Sequence, residues 1–412
     1  MRIALVDLLF CWPPHGGADV DTYQVARQLH EQGQQVHLFV SSLEGAWDRG
    51  SFDPEDLPFP ATRIDFTPKG FTAQNVPRRI HKTVSAWQPE LVMVTDGFFL
   101  KPLVLQALSD YPTIGRYYAY EMACHRDILH FKEGRVCPYA FLDTPDLCRT
   151  CAAEGLETLL KSGQGNAWTQ EYIAARAYAP EYYYQNKNGL NSMNAAVVSN
   201  PAMAALLKSH VSQINTIPGG VDLKQFSFTA APASSDKFII LMTGRGEDPV
   251  KGVDVLRMAG ERLYRERDDF EIWVTMPEGS PSTPWFKPIG WRSHDEVVRL
   301  YEQAHVVVAP SIWEEPFGLI AVEAMACGRP VCASRIGGLQ YTVEHTKTGF
   351  LHTPGDSADL AKQLSLLMGN AALCASMGKA GRDRVESQYT WTHIVQHHYI
   401  PLFKKVIAET RS

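Results

Sequence analysis

The sequence predicts an α/β protein made of two doubly wound, Rossmann-like domains, and three observations support this prediction. Short apolar runs, of the length of buried strands, alternate with longer segments that have helical spacing, as in domains built on a parallel sheet. The chain has 412 residues, more than one ordinary hydrophobic core accommodates. A compositional break, AAPASSD at 230–236, separates two sets of apolar runs. We therefore expect the domain boundary between about residues 218 and 236.

The N-terminal segment has the pattern of a β-α-β unit, with which doubly wound domains begin. Its predicted elements are a strand at 2–6, a Pro- and Gly-rich loop at 10–17, an amphipathic helix at 20–31 and a strand at 35–40. Gly16 and Gly17 lie in the loop just past the first strand's carboxyl end, where ligands bind in such sheets. An ordinary turn is the commoner reason for a Gly-Gly pair.

The other apolar runs extend each domain into a parallel sheet. In the first domain the further predicted strands are 91–94, 114–118, 195–198 and 214–217. In the second domain the predicted elements are strands at 238–242, 270–276 and 306–309 and helices at 253–265 and 294–303. Residues 1–218 are therefore predicted to form an N-terminal domain and residues 219–390 a C-terminal domain. A last predicted helix begins at Trp391.

Composition excludes several classes of function. The net charge of −6 and the pI near 6.2 argue against general affinity for nucleic acid. No run of about 18 apolar residues is present that would span a bilayer. The opening MRIALVDLL is typical of a first strand rather than a signal peptide, so a cytoplasmic protein is expected. A basic cluster (Arg78, Arg79, His81 and Lys82) allows a peripheral contact with the inner face of the membrane, although a solvated face explains it better.

The segment 311–338, SIWEEPFGLIAVEAMACGRPVCASRIGG, has an unusual distribution of charge. It begins where the predicted strand 306–309 meets a proline, and it continues into a predicted helix at 318–327 that is apolar on nearly every side. Such a helix lies buried between layers. Its one charge, Glu323, therefore needs a partner, which we expect to be a structural cation or the hydroxyls of a ligand.

A second carboxylate, Glu315, stands eight positions before Glu323. Eight residues at helical rise span about 12 Å, near the distance from the hexose to the ribose of a nucleotide sugar. Between the two, Phe317, Gly318 and Leu319 offer backbone N–H groups at a helix N-terminus, where a diphosphate binds well. As a bare pattern, Glu-x7-Glu is often two surface glutamates beside a helix.

Two cations follow the predicted strand 238–242, in TGRGEDPVKG. Arg245 and Lys251 suit a diphosphate leaving group, whose negative charge grows as the sugar–phosphate bond breaks. The acids between them, Glu247 and Asp248, do not make an Asp-x-Asp metal site. For any one Arg or Lys, a solvated surface position is the simpler explanation.

Residues 315–331 resemble the retaining glycosyltransferases of family 4, also called group 1, whose hallmark is E-P-F-G-L-x-x-x-E-A-M-A-C-G-x-P-V. The resemblance implies a GT-B fold, in which two Rossmann-like domains face each other across a cleft. It also implies that a C-terminal helix, here 391–412, crosses back to complete the N-terminal acceptor domain. The C-terminal domain would then bind a nucleotide diphosphate sugar as donor.

The resemblance implies a role for each matching residue. Glu315 would contact the donor sugar and Glu323 the ribose, while the amides at 317–319 hold sugar and phosphate. Arg245 and Lys251 would bind the pyrophosphate in place of a divalent metal, so no cofactor is required. The glycine pair Gly16–Gly17 would face the donor phosphate and the acceptor.

The resemblance also implies a mechanism, front-face attack in which the departing phosphate itself deprotonates the acceptor. An inverting reaction with Asp96 or Glu121 as base is a minor alternative. The chain departs from the family where a histidine is usual after the strand near 114–118. In RYYAYEMACHRDI, Tyr118 or Tyr120 takes that place, with Glu121 and His125 nearby.

Four cysteines follow within 28 residues, Cys124, Cys137, Cys148 and Cys151, the last two as C-R-T-C. Tetrahedral thiolate ligation tolerates loops of these lengths, so a structural zinc is one hypothesis. The spacing is less regular than in a zinc ribbon, and four free cysteines in a loop are the simpler alternative.

The leading hypothesis is a retaining transferase that moves a hexosyl group from a nucleotide diphosphate sugar to a sugar, lipid-linked sugar or small-molecule hydroxyl. A sugar-nucleotide epimerase or a phosphorylase would keep the fold and change the reaction. A catalytically inactive glycan- or nucleotide-binding module is the non-enzyme alternative, and it predicts the loss of Arg245, Lys251 or Glu315, all of which are present.

Overall fold

The computed structural model describes residues 1–46, 49–161, 165–230, 232 and 237–411. Most of the predicted linker at 230–236 lies outside these residues. The described chain groups into two compact units. The first contains Met1–His130, Cys137–Pro218 and the segment from Ile394 onward, and the second contains Phe131–Val136 and Gly219–His393.

The described residues of the first unit are built on a parallel sheet of seven strands. The strands of this half of the chain are β1 (Arg2–Asp7), β2 (Gln35–Leu43), β3 (Ala61–Phe66), β4 (Leu91–Val94), β5 (Thr113–Arg116), the small hairpin strands β6 (Phe131–Lys132) and β7 (Arg135–Val136), β8 (Ala195–Val198) and β9 (Ile214–Thr216). The sheet order is β3-β2-β1-β4-β5-β8-β9, and β6 pairs only with β7. The chain therefore reverses its direction across the sheet between β1 and β4, where α/β sheets bind ligands.

Seven α-helices belong to the described residues of this half of the chain, and the first follows the glycine-rich loop directly. They are α1 (Gly17–Glu31), α2 (Asn75–Trp87), α3 (Lys101–Ala107), α4 (Pro145–Lys161), α5 (Ala167–Ala174), α6 (Tyr182–Ser192) and α7 (Pro201–Leu207). Among the residues that the structure describes, no helix has the length and apolar character needed to cross a membrane.

Where the structure describes it, the second unit is built on a parallel sheet of six strands, in the order β12-β11-β10-β13-β14-β15. Its strands are β10 (Phe238–Met242), β11 (Phe270–Val274), β12 (Phe286–Pro288), β13 (Val306–Ala309), β14 (Val331–Ser334) and β15 (Gly349–His352). Its helices are α8 (Val253–Tyr264), α9 (His294–Gln303), α10 (Leu319–Ala326), α11 (Leu339–Thr342), α12 (Ser357–Met368) and α13 (Ala371–Gln388).

Both faces of the second sheet are covered, as the uninterrupted apolar runs of its strands require. Ile240 and Met242 of β10 belong to one buried cluster, with Val306 of β13. Leu241 and Val307, the alternating residues of the same two strands, belong to the other. The α/β class with two doubly wound parallel sheets is therefore confirmed.

The C-terminal segment is interrupted, where the sequence predicted one helix from residue 391. It consists of α14 (Trp391–Ile394), a π-helical turn at Val395–Tyr399 and α15 (Ile400–Arg411). Pro401 explains the interruption, because a proline has no N–H to donate to the preceding turn and its ring crowds the carbonyl four residues earlier. Tyr399 and Phe403 are fully buried in the first unit, and the Asn194 amide donates to the Thr410 hydroxyl at 3.3 Å.

Candidate active site

In the second unit, the loop after β10 packs closely against the end of β13. A 3-10 turn at Pro249–Lys251 ends at Gly252, whose φ is +79°. A Cβ at Gly252 would clash with the carbonyl oxygen of Pro310, so only glycine allows this approach. The Ile312 N–H donates to the Val250 carbonyl at 2.9 Å and joins the two loops.

This packing brings together two residues that the sequence predicted as catalytic. The Lys251 ammonium lies 2.5 Å from Oε1 of Glu315, and the Ser311 hydroxyl donates to the same oxygen at 2.9 Å. The side chain of Lys251 is 22% exposed and that of Glu315 is 11% exposed, so the pair is partly desolvated. A partly desolvated, hydrogen-bonded ion pair fixes both groups in position more firmly than a surface pair does.

The Gly337–Gly338 loop after β14 shapes the backbone around Glu315. A Cβ on Gly337 would clash with the Glu315 carbonyl oxygen, and one on Gly338 would lie 2.5 Å from the Pro316 carbonyl oxygen. The Gly338 N–H donates to the Glu315 carbonyl at 2.5 Å. Because both positions are glycine, the loop after β14 can approach and hold the backbone of the loop that carries Glu315. This contact fixes the direction of the Glu315 side chain.

Helix α10 begins one residue later than predicted. Gly318 is the N-cap, with a left-handed φ of +86°, and a Cβ there would clash with the side chain of Leu339. Phe317 is buried, and its carbonyl accepts a hydrogen bond from the Thr342 hydroxyl at 3.2 Å. The N–H groups of Gly318 and Leu319 lie at the start of the helix, where no earlier helical carbonyl is available to them.

Glu323 has a protein partner that the sequence analysis missed. Its Oε2 accepts a hydrogen bond of 2.9 Å from the hydroxyl of Tyr301, whereas a cation or ligand hydroxyls had been expected. Tyr301 lies on α9 and is fully buried. The sequence offered only a general indication of this contact, because any tyrosine buried in a core needs a partner for its hydroxyl.

Arg245 differs from Lys251 in exposure. Its side chain is 60% exposed, and its guanidinium lies 3.5 Å from the carboxylate of Asp248. Asp248 also accepts a hydrogen bond from the Val250 N–H and so caps the 3-10 turn. Throughout the described residues, no group of three or more His, Cys, Asp or Glu side chains is arranged to hold a metal ion.

In the first unit, Asp19 shapes the loop that carries Gly16 and Gly17. Its carboxylate accepts hydrogen bonds from the N–H groups of Cys11, His15 and Gly16, at 2.9 to 3.0 Å. Burial raises the pKa of Asp19 to about 6, although these hydrogen bonds favour the charged form. A Cβ on Gly16 would meet nothing within 4 Å, so the loop leaves open space beside this glycine.

The two carboxylates considered as alternative bases lie in different surroundings. Glu121 accepts hydrogen bonds from the N–H groups of Tyr118 and Ala119 and lies 3.5 Å from the Lys101 ammonium. Asp96, just past β4, is half-buried and accepts one hydrogen bond, from the Gly97 N–H at 2.8 Å. Burial, with the nearby carboxylates of Asp7 and Glu121, raises the pKa of Asp96. Asp96 is therefore the better placed of the two for proton transfer.

The side chains near the missing family histidine serve mainly as structural groups. Tyr118 donates to Asp21 at 3.0 Å, and Tyr120 is fully buried. His125 stacks on Phe141 at a centroid distance of 3.9 Å, and burial lowers its pKa to about 4. A neutral, buried His125 packs as a core residue, which leaves Tyr118 as the half-buried side chain nearest the expected position.

Three of the four cysteines of the zinc hypothesis have side-chain contacts with other residues. The Cys124 thiol donates to Asp127 at 3.4 Å, Cys148 lies 3.6 Å from the Thr144 hydroxyl, and Arg126 donates to Cys151 at 3.8 Å. In the part of the chain that the structure describes, none of the four, Cys137 included, forms a disulfide bond. The described residues hold no preformed ligand set, and the zinc site stays a prediction.

Comparisons with known proteins support the motif-based resemblance. Residues 286–384 match the family model of glycosyl transferases group 1. A D-inositol 3-phosphate glycosyltransferase of Arthrobacter sp. (strain FB24) is 34% identical over 210 residues, which are 45% of this chain and 49% of that protein. A glycogen synthase of Mycobacterium tuberculosis is 27% identical over 265 residues, 61% of each chain. The chain thus spans between about half and three fifths of the length of these relatives.

Solved structures match over nearly the whole chain. A sucrose-phosphate synthase of Thermosynechococcus elongatus has a TM-score of 0.67 at 21% identity and covers 99% of this chain and 100% of its own. HepE of Anabaena, in complex with UDP-glucose, has a TM-score of 0.65 at 18% identity and covers 98% and 100%. At these identities the likeness concerns the fold alone, and the two parallel sheets are those of GT-B structures.

Proposed function

We propose that this chain, whose residues 286–384 match the family model of glycosyl transferases group 1, is a retaining hexosyltransferase. It would transfer a hexosyl group from a nucleotide diphosphate sugar to a hydroxyl acceptor. The observation that carries the proposal is the 2.5 Å contact between Lys251 and Glu315 beside the N-terminus of α10. It joins a cation suited to a leaving phosphate to a carboxylate suited to sugar hydroxyls.

The second unit supplies the donor-binding groups in this proposal. Glu315 orients the hexose, Glu323 binds the ribose, and the N–H groups at 317–319 hold the diphosphate at the start of α10. Lys251 and Arg245 stabilise the charge that develops on the departing diphosphate. The complex of HepE with UDP-glucose supports a nucleotide sugar as donor, and the name of the Arthrobacter relative supports glycosyl transfer as the reaction.

The reaction retains the anomeric configuration without an enzymic nucleophile. The bond from the anomeric carbon to the phosphate oxygen breaks, the acceptor oxygen forms a bond on the same face, and the acceptor proton passes to the departing phosphate. Arg245 and Lys251 take the place of a divalent metal. Inversion with Asp96 as base is the second candidate mechanism. Its carboxyl lies just past β4, where the strand order of the first sheet reverses, and it accepts a hydrogen bond from the Gly97 N–H.

The first unit would bind the acceptor, a sugar, a lipid-linked sugar or a small molecule with a free hydroxyl. Gly16 borders the open space at its loop, and Gly17 is the first residue of α1. We expect a cytoplasmic protein, with a peripheral membrane contact if the acceptor is lipid-linked. The basic side chains near α2 favour such a contact only weakly, because Arg78 and Arg79 already hydrogen-bond within the unit.

The test is turnover of a panel of nucleotide sugars, followed by nuclear magnetic resonance with and without candidate acceptors. A transferase releases nucleoside diphosphate in proportion to a new glycoside whose anomeric configuration equals that of the donor. Conversion of the donor without an acceptor would indicate an epimerase, and dependence on inorganic phosphate a phosphorylase. Binding without turnover of any donor would indicate an inactive module and contradict the proposal.

A further inference from the structure

Two hydroxyl groups in series connect the loop that carries Arg245 and Lys251, called here the diphosphate loop, to the Glu323 carboxylate. Thr243 is the residue directly after β10, at the start of the loop that carries Arg245. Its hydroxyl lies 3.0 Å from the hydroxyl of Tyr301, which lies 2.9 Å from Oε2 of Glu323. Thr243 and Tyr301 are both buried.

The chemistry of these groups sets the direction of the hydrogen bonds. A carboxylate only accepts, so the single hydroxyl proton of Tyr301 points to Glu323, and Thr243 must donate to the tyrosine oxygen. Burial, together with the Glu323 carboxylate, raises the pKa of Tyr301, which keeps the phenol protonated as a donor. Hydrogen bonds ordered in one direction polarise one another and strengthen the last one, to the charged carboxylate.

The backbone around Tyr301 is fixed independently of its hydroxyl. The buried guanidinium of Arg329 donates to the Tyr301 carbonyl at 2.7 Å, and the ring packs near Phe226 at a centroid distance of 6.1 Å. Removal of the hydroxyl alone therefore leaves the ring and helix α9 in place. The hydroxyl has one evident task, which is to hold Oε2 of Glu323.

We propose that Tyr301 is a positioning residue that sets the specificity of this site for ribonucleotides. The Tyr301 hydroxyl holds Oε2 of Glu323 and so fixes the orientation of the carboxylate. In that orientation the carboxylate can accept a hydrogen bond from a ribose hydroxyl. Thr243 supports Tyr301 and couples its position to the start of the diphosphate loop. The inference rests on the proposed function, since it requires Glu323 to bind the ribose of the donor nucleotide.

The experiment measures the dissociation constants of nucleoside diphosphates by calorimetry. UDP, GDP and ADP are tested first with the wild-type protein, and the tightest of them is then compared with its 2′-deoxy and 3′-deoxy analogues. In the wild type, we expect one analogue to bind about tenfold more weakly than the ribonucleotide, because a hydrogen bond to a charged group is lost. In Tyr301→Phe, the ribonucleotide should weaken by a similar factor and the difference between ribo and deoxy ligands should largely vanish.

Two further variants make the result specific. Thr243→Val should shift the ribo-to-deoxy ratio in the same direction by a smaller factor, because Tyr301 keeps its own proton for Glu323. Tyr264→Phe, which changes an exposed tyrosine of α8, should leave the ratio unchanged. In steady-state kinetics, Tyr301→Phe should raise the KM for the donor more than it lowers kcat.

The inference is overturned if Tyr301→Phe keeps the wild-type ribo-to-deoxy ratio, or if it weakens both ligands equally and lowers the melting temperature, as a purely structural role predicts. If the wild-type protein binds none of the three nucleoside diphosphates, the proposed function fails and the inference fails with it. If the wild type binds one of them but shows no preference for ribose, only the inference fails.

Discussion

The ammonium nitrogen of Lys251 lies 2.5 Å from Oε1 of Glu315, although 64 positions separate the two residues in the chain. The contact depends on Gly252, which lets the loop of Lys251 approach Pro310, and on the Ser311 hydroxyl, which shares the same carboxylate oxygen. We therefore expect changes at Lys251 and Glu315 to be coupled rather than additive, because the two side chains are in direct contact.

Removal of either partner should impair turnover far more than folding. We expect Glu315→Ala and Lys251→Ala each to lower kcat by at least about a hundredfold, the usual effect of losing a group that stabilises a transition state. The melting temperature should change by only a few degrees, because both residues lie in loops outside the hydrophobic clusters. Lys379→Ala, which breaks an exposed ion pair with Asp383 on α13, is the matched control. Wild-type turnover in either loop variant would contradict the assignment.

Catalysis should also survive excess chelator. Arg245 and Lys251 supply positive charge at the proposed diphosphate site, and the acids nearest to them are already engaged, Asp248 with the 3-10 turn and Glu315 with Lys251. We therefore expect the initial rate to change by less than about twofold when ethylenediaminetetraacetate replaces magnesium, since no rate-limiting step needs the metal. Loss of activity that magnesium or manganese restores would show that a bound metal supplies the charge.

Strands were predictable from sequence where burial on both faces leaves a continuous apolar run. Every residue of β4 and β13 is buried, and both strands were located to the residue. β3 was missed because only Ile64 and Phe66 of its six residues are buried, as expected for an edge strand. β12 has only three residues, which is too short for any periodicity to stand out. β15 is buried throughout, but its sequence GFLH contains a glycine and a histidine and so lacks a continuous apolar run.

Those residues of the candidate site that lie within a recognisable sequence motif were predictable. Glu315, Gly318 and Glu323 follow from one segment: Glu315 precedes α10, Gly318 is its N-cap and Glu323 lies on its second turn. Tyr301 could not be predicted, because it reaches Glu323 from α9 through the tertiary packing of two helices. The same holds for the contact of Lys251 with Glu315, which only the approach of two loops creates.

The zinc hypothesis has a direct test by elemental analysis. It predicts about one zinc for each chain as purified, released when Cys148 and Cys151 are both changed to serine. A matched control is the double change of Cys327 and Cys332, which are buried in the second unit. Reactivity toward thiol reagents is a weaker criterion at Cys124, because burial and the nearby Asp127 raise its pKa to about 12 and slow its reaction with or without a metal. Purified protein without zinc would establish four ordinary cysteines.

A buried histidine should make the first unit sensitive to acid. His125 is 3% exposed, stacks on Phe141, and its Nε2 lies 2.8 Å from the Ala177 carbonyl. Burial lowers its pKa from 6.5 to about 4, so the folded state resists protonation that the unfolded chain accepts. The neutral form is favoured in both states above pH 6.5. As the pH falls from 6.5 toward 4, the unfolded state gains a proton first and stability is lost.

Between pH 7 and pH 5 this histidine alone should remove about 2 kcal/mol of unfolding free energy, by the conversion of pKa shifts into free energy. His125→Gln should therefore be less stable than the wild type at pH 7, because it loses the stacking contact, yet it should lose less stability on acidification. The measurement is urea denaturation at both pH values, followed by circular dichroism. His30→Gln, at an exposed position on α1, should keep the wild-type pH dependence. If His125→Gln loses as much stability as the wild type between the two pH values, another group is responsible for the acid sensitivity.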